Sequence, residues 1–392
     1  MIQTKHKSQT TVLKFLLLLT LLSFSRCKKD EVQTTPDLKK SELADLPPTL
    51  ETITTVSSTS YRIENSLPSG YVKDGSRDYT SYIQAAINKY ADVTFPAFPI
   101  MVNNTGIIIP SNRKVSFLTG GKIIQKPTSA TNYNAIRIYK ATNVTLNNPV
   151  VVGDRYKHLG STGEWGQGIT IYGSSNITIN APIVSNCWGD GIYLGATDKI
   201  TNRNIIINNA NCTYNRRNGI SVTSVIGLIL EAPYCAYSNG ISPYAGIDIE
   251  PSYYTDEIQN VTINNARTEY NPGYGIQAGF RSLFGGPNKT IGLKIANHID
   301  KSSKVALKVS ATLTRQVGSE TVTGPVTITN PFWRKNTLTP IQTNILVKTI
   351  KLTITNPTVQ DINGINLSDA SILSLFTYKT NINREANYSL TF

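Results

Sequence analysis

Five short segments, Gly168-Ile169-Thr170-Ile171, Gly191-Ile192-Tyr193-Leu194, Gly219-Ile220-Ser221-Val222, Gly246-Ile247-Asp248-Ile249 and Gly275-Ile276-Gln277-Ala278, recur at intervals of 23, 28, 27 and 29 residues. Each places an isoleucine directly after a glycine and a second apolar residue two positions on, the alternation of a strand with one buried face. A second register follows most of them: Asn143 to Leu146, Asn176 to Ile179, Asn204 to Ile207, Ile226 to Leu230 and Asn260 to Ile263. A third, shorter register ends in asparagine at Ile183 to Asn186, Cys212 to Asn215, Cys235 to Asn239 and Thr268 to Asn271. Three strands and three turns make one period. A four-residue strand cannot bury its apolar face alone, but equivalent strands stacked about 4.8 Å apart enclose a continuous interior. The expected fold is all-β, a parallel β-helix.

Working outward, Tyr82, Ile83, Ala86, Ile87 and Tyr90 fall at helical spacing and predict a short amphipathic helix over Tyr79 to Tyr90. Its place before the first coil suits a cap, since the first coil otherwise exposes an unpaired edge and an open core. Asparagine at the repeated turns fits a left-handed backbone and amide bonding between coils. Cys212 and Cys235 occupy similar positions in adjacent coils and are read as stacked, reduced core thiols; Cys187 is given no catalytic role.

Asp74-Gly75-Ser76-Arg77-Asp78-Tyr79 through Ile83-Gln84-Ala85-Ala86-Ile87, followed by Val93-Thr94-Phe95-Pro96 and Ile107 to Pro110, resembles the N-terminal cap and first coil of the pectin-lyase-like superfamily. The later Gly-Ile coils resemble the same superfamily, over residues 70 to 365 in all. The resemblance implies a right-handed parallel β-helix with an N-terminal capping helix. It leaves the reaction open, because the superfamily includes polygalacturonases, pectate lyases, uronan epimerases, phage depolymerases and non-catalytic adhesins. Within it, Asn186-Cys187-Trp188-Gly189-Asp190-Gly191 is similar to the Asn-x-Asp-Gly coil of polygalacturonases, and Gly246-Ile247-Asp248-Ile249-Glu250-Pro251 to a coil of mannuronan epimerases.

If the isoleucine after each glycine points inward, the second and fourth residues after the glycine point outward and stack into columns. The columns read Thr170, Tyr193, Ser221, Asp248, Gln277 and Tyr172, Gly195, Thr223, Glu250, Gly279. Asp190, Asp248 and Glu250 thereby share one face and are the candidate catalytic carboxylates. Asp248 and Glu250 stand about 7 Å apart at Cα and Asp190 about 10 Å away, by strand and coil spacing. Those separations suit an acid and a base flanking a water, as in inverting glycosidases, whose carboxyls lie about 6.5 to 9.5 Å apart. Candidate substrate-binding residues are the aromatics Trp165, Trp188, Tyr193, Tyr253 and Tyr254, the clamping pair Arg216 and Arg217, and His158 in an overhanging segment, Asp154 to Gly168. The expected activity is cleavage of glycosidic bonds in an acidic polysaccharide. A non-catalytic glycan-binding or adhesive β-helix and a Ca²⁺-dependent uronate lyase are the alternatives, the same carboxylate trio offering oxygen ligands to Ca²⁺. No other cofactor is expected.

The rest of the chain sets the context. Of 392 residues, 16% are charged, and no apolar run after the first 25 positions is long enough to span a bilayer. Lys5, Lys7 and Lys14 precede the apolar stretch Phe15 to Leu22 and then Cys27, which reads as a signal peptide over residues 1–26 ending at a lipoprotein-type cysteine. With Lys28-Lys29-Asp30-Glu31 behind it, Cys27 is expected to carry lipid and to anchor the protein in the outer membrane or on the surface of a Gram-negative cell. Residues 27–75, rich in Thr, Ser and Pro, are read as a flexible tether, and residues 76–392 as the β-helix domain. The formal charge of +13 falls to +9 once the four basic residues of the leader are removed. A basic protein outside the cytoplasm meets little nucleic acid, so anionic glycans, envelope polymers or phospholipid headgroups are the expected long-range partners. A monomer is expected.

Overall fold

The computed structural model describes residues 59–312, 322–378, 380–382 and 388–392. The expected signal peptide, Cys27 and most of the expected tether lie outside these residues. Among the described residues the chain winds through three sheets of thirteen, ten and ten strands, and consecutive coils pair in parallel within each. The Gly-Ile strands form one ten-stranded sheet, here sheet 1; the strands that open on asparagine form sheet 2, and the short third strands form sheet 3.

Sheet 1 stacks as the repeat predicts. Ile169, Ile192, Ile220, Ile247 and Ile276 are register partners in sequence, and Leu307 and Ile341 continue the column. All are essentially without solvent exposure. Each such side chain contributes about 1.5 to 3 kcal/mol on burial, which repeated over some ten coils outweighs the poor burial of any single coil. The recurring glycine has a steric cause. A Cβ on Gly219 would lie 2.6 Å from the carbonyl oxygen of Gly246, and one on Gly246 2.7 Å from that of Gly275. Those carbonyls accept ladder bonds, as from Ile220 N–H to Gly246 at 3.0 Å, and cannot move aside.

At the turn into sheet 2, Asn112, Asn143, Asn176 and Asn204 all hold φ between 55° and 58°. Each of the last three donates its side-chain amide to the oxygen of the preceding one, at 3.0, 3.2 and 3.1 Å. Gly227 takes the place in the next coil at φ 78°, so the position selects for left-handed backbone first and for the amide second.

The capping helix α1 spans Thr80–Lys89 and buries Ile83, Ala86 and Ile87 on the first coil. Gln84 lies against the free edge of sheet 1: its amide donates to the Ile108 carbonyl and accepts from the Ile108 N–H, both at 2.8 Å. One side chain thus supplies both bonds that another strand would have made. Residues that the expected tether boundary at 75 leaves outside the β-helix pack on its first coil. Tyr61 and Arg62 pair with Val93 and Thr94, Ile63 is fully buried, and Tyr61 stacks on Tyr90 at 3.6 Å. Few large apolar residues are needed to join a core that already exists. At the other end a second helix, α2 (Asp369–Tyr378), buries Ile372 and Phe376 in the same core.

Cys212 and Cys235 are register partners in sheet 3, buried and unbridged. Further along that interior column sits a polar cluster with no sequence forewarning. The Trp333 indole donates to His298 Nδ1 at 3.1 Å, so the imidazole hydrogen lies on Nε2, which faces Thr268 Oγ1 at 2.8 Å. Thr268 in turn donates to Asp300 at 2.6 Å. Burial pushes His298 down to about 3 and Asp300 up to about 7, so both favour their neutral forms in this interior.

Candidate active site

The outward columns of sheet 1 put Asp190, Asp248 and Glu250 on one wall, as the repeat predicts. Asp248 is the register partner of Ser221 on one side and of Gln277 on the other, and Ile247 and Ile249 on either side of Asp248 point into the core. The wall is nevertheless divided in two.

In the first part the carboxylates are closed off. Asp190 is 1% exposed and Asp248 2%. Arg217, on the coil between them, places its guanidinium 3.1 Å from Asp190 and 4.0 Å from Asp248, with Glu164 at 3.7 Å. Asp190 also accepts from the Asn218 backbone at 3.1 Å; Asp248 accepts from the Asn218 amide at 3.1 Å and from Gln277 at 3.0 Å. Burial raises the pKa of Asp190 even though Arg217 opposes it. Burial, with the charge of Glu250 next to it, pushes Asp248 up to about 7. Against the pull of burial, Asp190, Asp248, Glu164 and Glu250 together hold Arg217 above its ordinary value. The expected acid, water and base arrangement of Asp190, Asp248 and Glu250 is therefore not formed. A guanidinium fills the space between the two aspartates, where a water or a Ca²⁺ would have had to sit. Among the described residues no set of three or more His, Cys, Asp or Glu side chains converges for a metal ion.

The overhanging segment is likewise packed rather than poised. The His158 side chain is fully buried, 2.9 Å from Asp154, and stacks on Trp188 at 4.0 Å. Tyr133 donates to the same Asp154. Arg216 covers the other side of Trp188 at 3.7 Å and donates to the Gly163 carbonyl at 2.7 Å. His158, Trp188 and Arg216 are thus layers of one stack that fastens the segment to the coils, a correction to their expected role on substrate. Tyr193 is half-buried against Tyr172 and hydrogen-bonded to Thr223, while Trp165, Tyr253 and Tyr254 are exposed. Lys289 donates to the carbonyls of Tyr254 and Asp256 and so holds the tyrosine loop in place.

The second part of the wall is open. Glu250 lines a groove of 720 Å³ with Arg281, Lys308 and Gln342, floored by Gly279, Ser310 and Asn344. Lys308 and Gln342 belong to the column of Asp248 and Gln277, and Ser310 and Asn344 to that of Glu250. Lys308 donates to Gln277 at 3.1 Å, which connects the groove to the buried Asp248. Arg281, Lys308 and Gln342 were not among the sequence candidates. The coils of Lys308 and Gln342 carry Ala306 and Pro340 where the others have glycine, but leucine and isoleucine keep the period at Leu307 and Ile341.

No family model matches the chain. Among curated proteins, a SPbeta prophage-derived uncharacterized protein, YorA, of Bacillus subtilis is 29% identical over 162 residues, 37% of this chain and 28% of that protein. Among solved structures, the A-module of the mannuronan C-5 epimerase AlgE4 of Azotobacter vinelandii superposes with a TM-score of 0.53 at 16% identity, over 85% of this chain and 94% of that one. The chain is a right-handed parallel β-helix. Pre-mature gene product 12 of bacteriophage phi29 gives 0.55 at 14% identity, over 76% and 45% of the two chains. An iota-carrageenase complexed to iota-carrageenan fragments gives 0.51 at 13%, over 71% and 74%. The β-helix thus spans less than half the length of the phage protein and under a third of the prophage protein.

Proposed function

We propose that this β-helix is an extracytoplasmic, lipid-anchored protein that binds an acidic polysaccharide in the Glu250 groove and cleaves it there by elimination. The observation that carries this reading is that Glu250, alone of the three expected carboxylates, opens into a groove, and that Arg281 and Lys308 share that groove with it. Two cations beside one carboxylate match a uronate sugar. Arg281 and Lys308 would neutralise the sugar carboxylate, which acidifies the proton on the adjacent ring carbon. Glu250 would take that proton; the electron pair left behind forms a ring double bond as the glycosidic oxygen departs and picks up a proton from water. Two-carboxylate hydrolysis is less well served, because its second group would be Asp190 or Asp248, each beneath Arg217. The names of the epimerase and the carrageenase, both polysaccharide-acting proteins on this fold, agree with the substrate class.

The burial of Asp190 and Asp248 favours one second reading, a glycan-binding protein without catalysis. Incubation of the full chain with polymannuronate, polygalacturonate and sulfated galactans separates the possibilities. Ultraviolet absorbance from an unsaturated sugar, lost in Glu250→Gln, is the expected result. New reducing ends without that absorbance would point to hydrolysis, and retention without products to binding alone.

A further inference from the structure

The groove has a counterpart at the opposite edge of the same strands. A second depression, of 410 Å³, is walled by Tyr270, Pro272 and Leu338 and rimmed by Ser302, Lys304 and Thr337. These residues lie just before the sheet 1 strands Tyr274–Gly279, Val305–Ala311 and Thr339–Ile345, whose far ends, at Gly279, Ser310 and Asn344, floor the Glu250 groove. Six or seven residues at about 3.3 Å each separate the two, on the order of 20 Å.

Resting on the reading above, we infer that the acidic polysaccharide crosses sheet 1 perpendicular to the coil axis, with a second sugar subsite at Tyr270, Lys304 and Leu338. Three features support the path. Its charges run Lys304, Lys308, Arg281 against Glu250 alone, so a polyanion is attracted along its whole length. Midway, Lys308 stands over the Tyr274 ring at 4.5 Å and bonds its hydroxyl, giving a wall that is cationic and aromatic at once. At the far end the Tyr270 ring is already immobilised: it stacks on Tyr237 at 5.3 Å, and Tyr237 on Tyr214 at 4.7 Å, with 5° between the planes in both pairs, while Lys301 stands over it at 5.7 Å and adds a cation for a sugar carboxylate to meet. A ring fixed before binding loses little entropy when a sugar packs on it. The axial route from Glu250 toward Asp190 instead meets the closed Arg217 network.

Titration calorimetry of the full chain with size-fractionated oligomannuronates and oligogalacturonates tests this, with Glu250→Gln as the background for every variant wherever the unaltered protein cleaves the oligomer. Tyr270→Asn removes the ring yet keeps a residue suited to φ 50°, the corner that Asn186 occupies at φ 56° in an earlier coil. In Tyr270→Asn and in Lys304→Ala, oligomers long enough to span the sheet should lose about tenfold in affinity while the shortest binders lose none. The inference is overturned if affinity is unchanged at every length, or if Tyr193→Ser, on the axial route, selectively weakens the long oligomers instead. If the unaltered protein binds none of these glycans, the functional reading falls as well; if it binds them and only the length dependence fails, the crossing path alone is lost.

Discussion

Asp248 and Glu250 sit two residues apart on one strand, point the same way and lead opposite lives. Asp248 lies beneath Arg217, Asn218 and Gln277, whereas Glu250 faces solvent across from Arg281 and Lys308. The wall that carries them is built of two adjacent outward columns of the same strands, so position in the repeat does not decide between structure and chemistry. What decides is the side chain of the coil on either side: Arg217 reaches back to Asp190 and forward to Asp248, while Gly279, following Glu250 in its column, leaves a gap.

Substitutions should separate the two regions most sharply at the arginines. Arg217→Met leaves two buried carboxylates without their cation and should cost about 3 to 5 kcal/mol in thermal or denaturant unfolding. Arg281→Met, at the exposed groove, should change stability by less than about 0.5 kcal/mol. Equal losses would mean that the closed and open halves are not distinct.

The next effect is a pH dependence. The unfolded value of an aspartate is about 3.9, and folding raises Asp248 to about 7, so the folded state holds this proton more tightly. Its contribution to stability is complete below about 4 and disappears as pH rises through 7. Asp248→Asn, which cannot ionise, should therefore unfold with a flatter pH dependence between 4 and 8 than the unaltered protein, by a few kcal/mol at most. Arg217, Glu250 and Asp190 are the charges facing it, and Asp300, with a similar rise, keeps some slope in both proteins. An identical slope in the two would mean that Asp248 is already ionised in the fold.

Smaller again is the response of the glycines. Gly219→Ala drives a methyl to 2.6 Å from a backbone carbonyl and should cost about 1 to 3 kcal/mol. At Gly279 the nearest neighbour of an added Cβ is Ser310 Oγ at 3.4 Å, so Gly279→Ala should be close to neutral in a melt, although it intrudes on the groove floor. The smallest stability change belongs to Glu250→Gln, within about 0.5 kcal/mol, so any loss of turnover in that variant reflects chemistry rather than unfolding.

The winding of the chain was legible because it follows from a local rule. An isoleucine after a close-approach glycine announces both the buried column and the carbonyl passing over it, and the register of Ile192, Ile220, Ile247 and Ile276 is the one the spacing implies. The outward direction of Asp248 and Glu250 followed from the same alternation. Its limit was reach. Whether Arg217 clamps Asp190 or a sugar depends on how a long side chain lies across two coils, and nothing in the order of residues states that. His158 misled for a similar reason: a segment between coils reads as an overhang until Asp154, Tyr133 and Trp188 are seen to enclose it. Arg281 has no columnar position to betray it. Lys308 and Gln342 were recoverable by following the period past Gly275 through Leu307 and Ile341, where only the glycine changes.

The asparagine ladder bears on how such a chain can change in length. The amides of Asn143 and Asn176 bond both to the coil before and to the coil after, and each corner backbone fits whichever neighbour repeats its shape. Loss or gain of one residue within a strand would throw all later corners out of alignment, but duplication of an entire turn would leave every junction satisfied. Descendants of this gene are therefore expected to differ by whole storeys, and a taller or shorter building would keep the same groove on its wall.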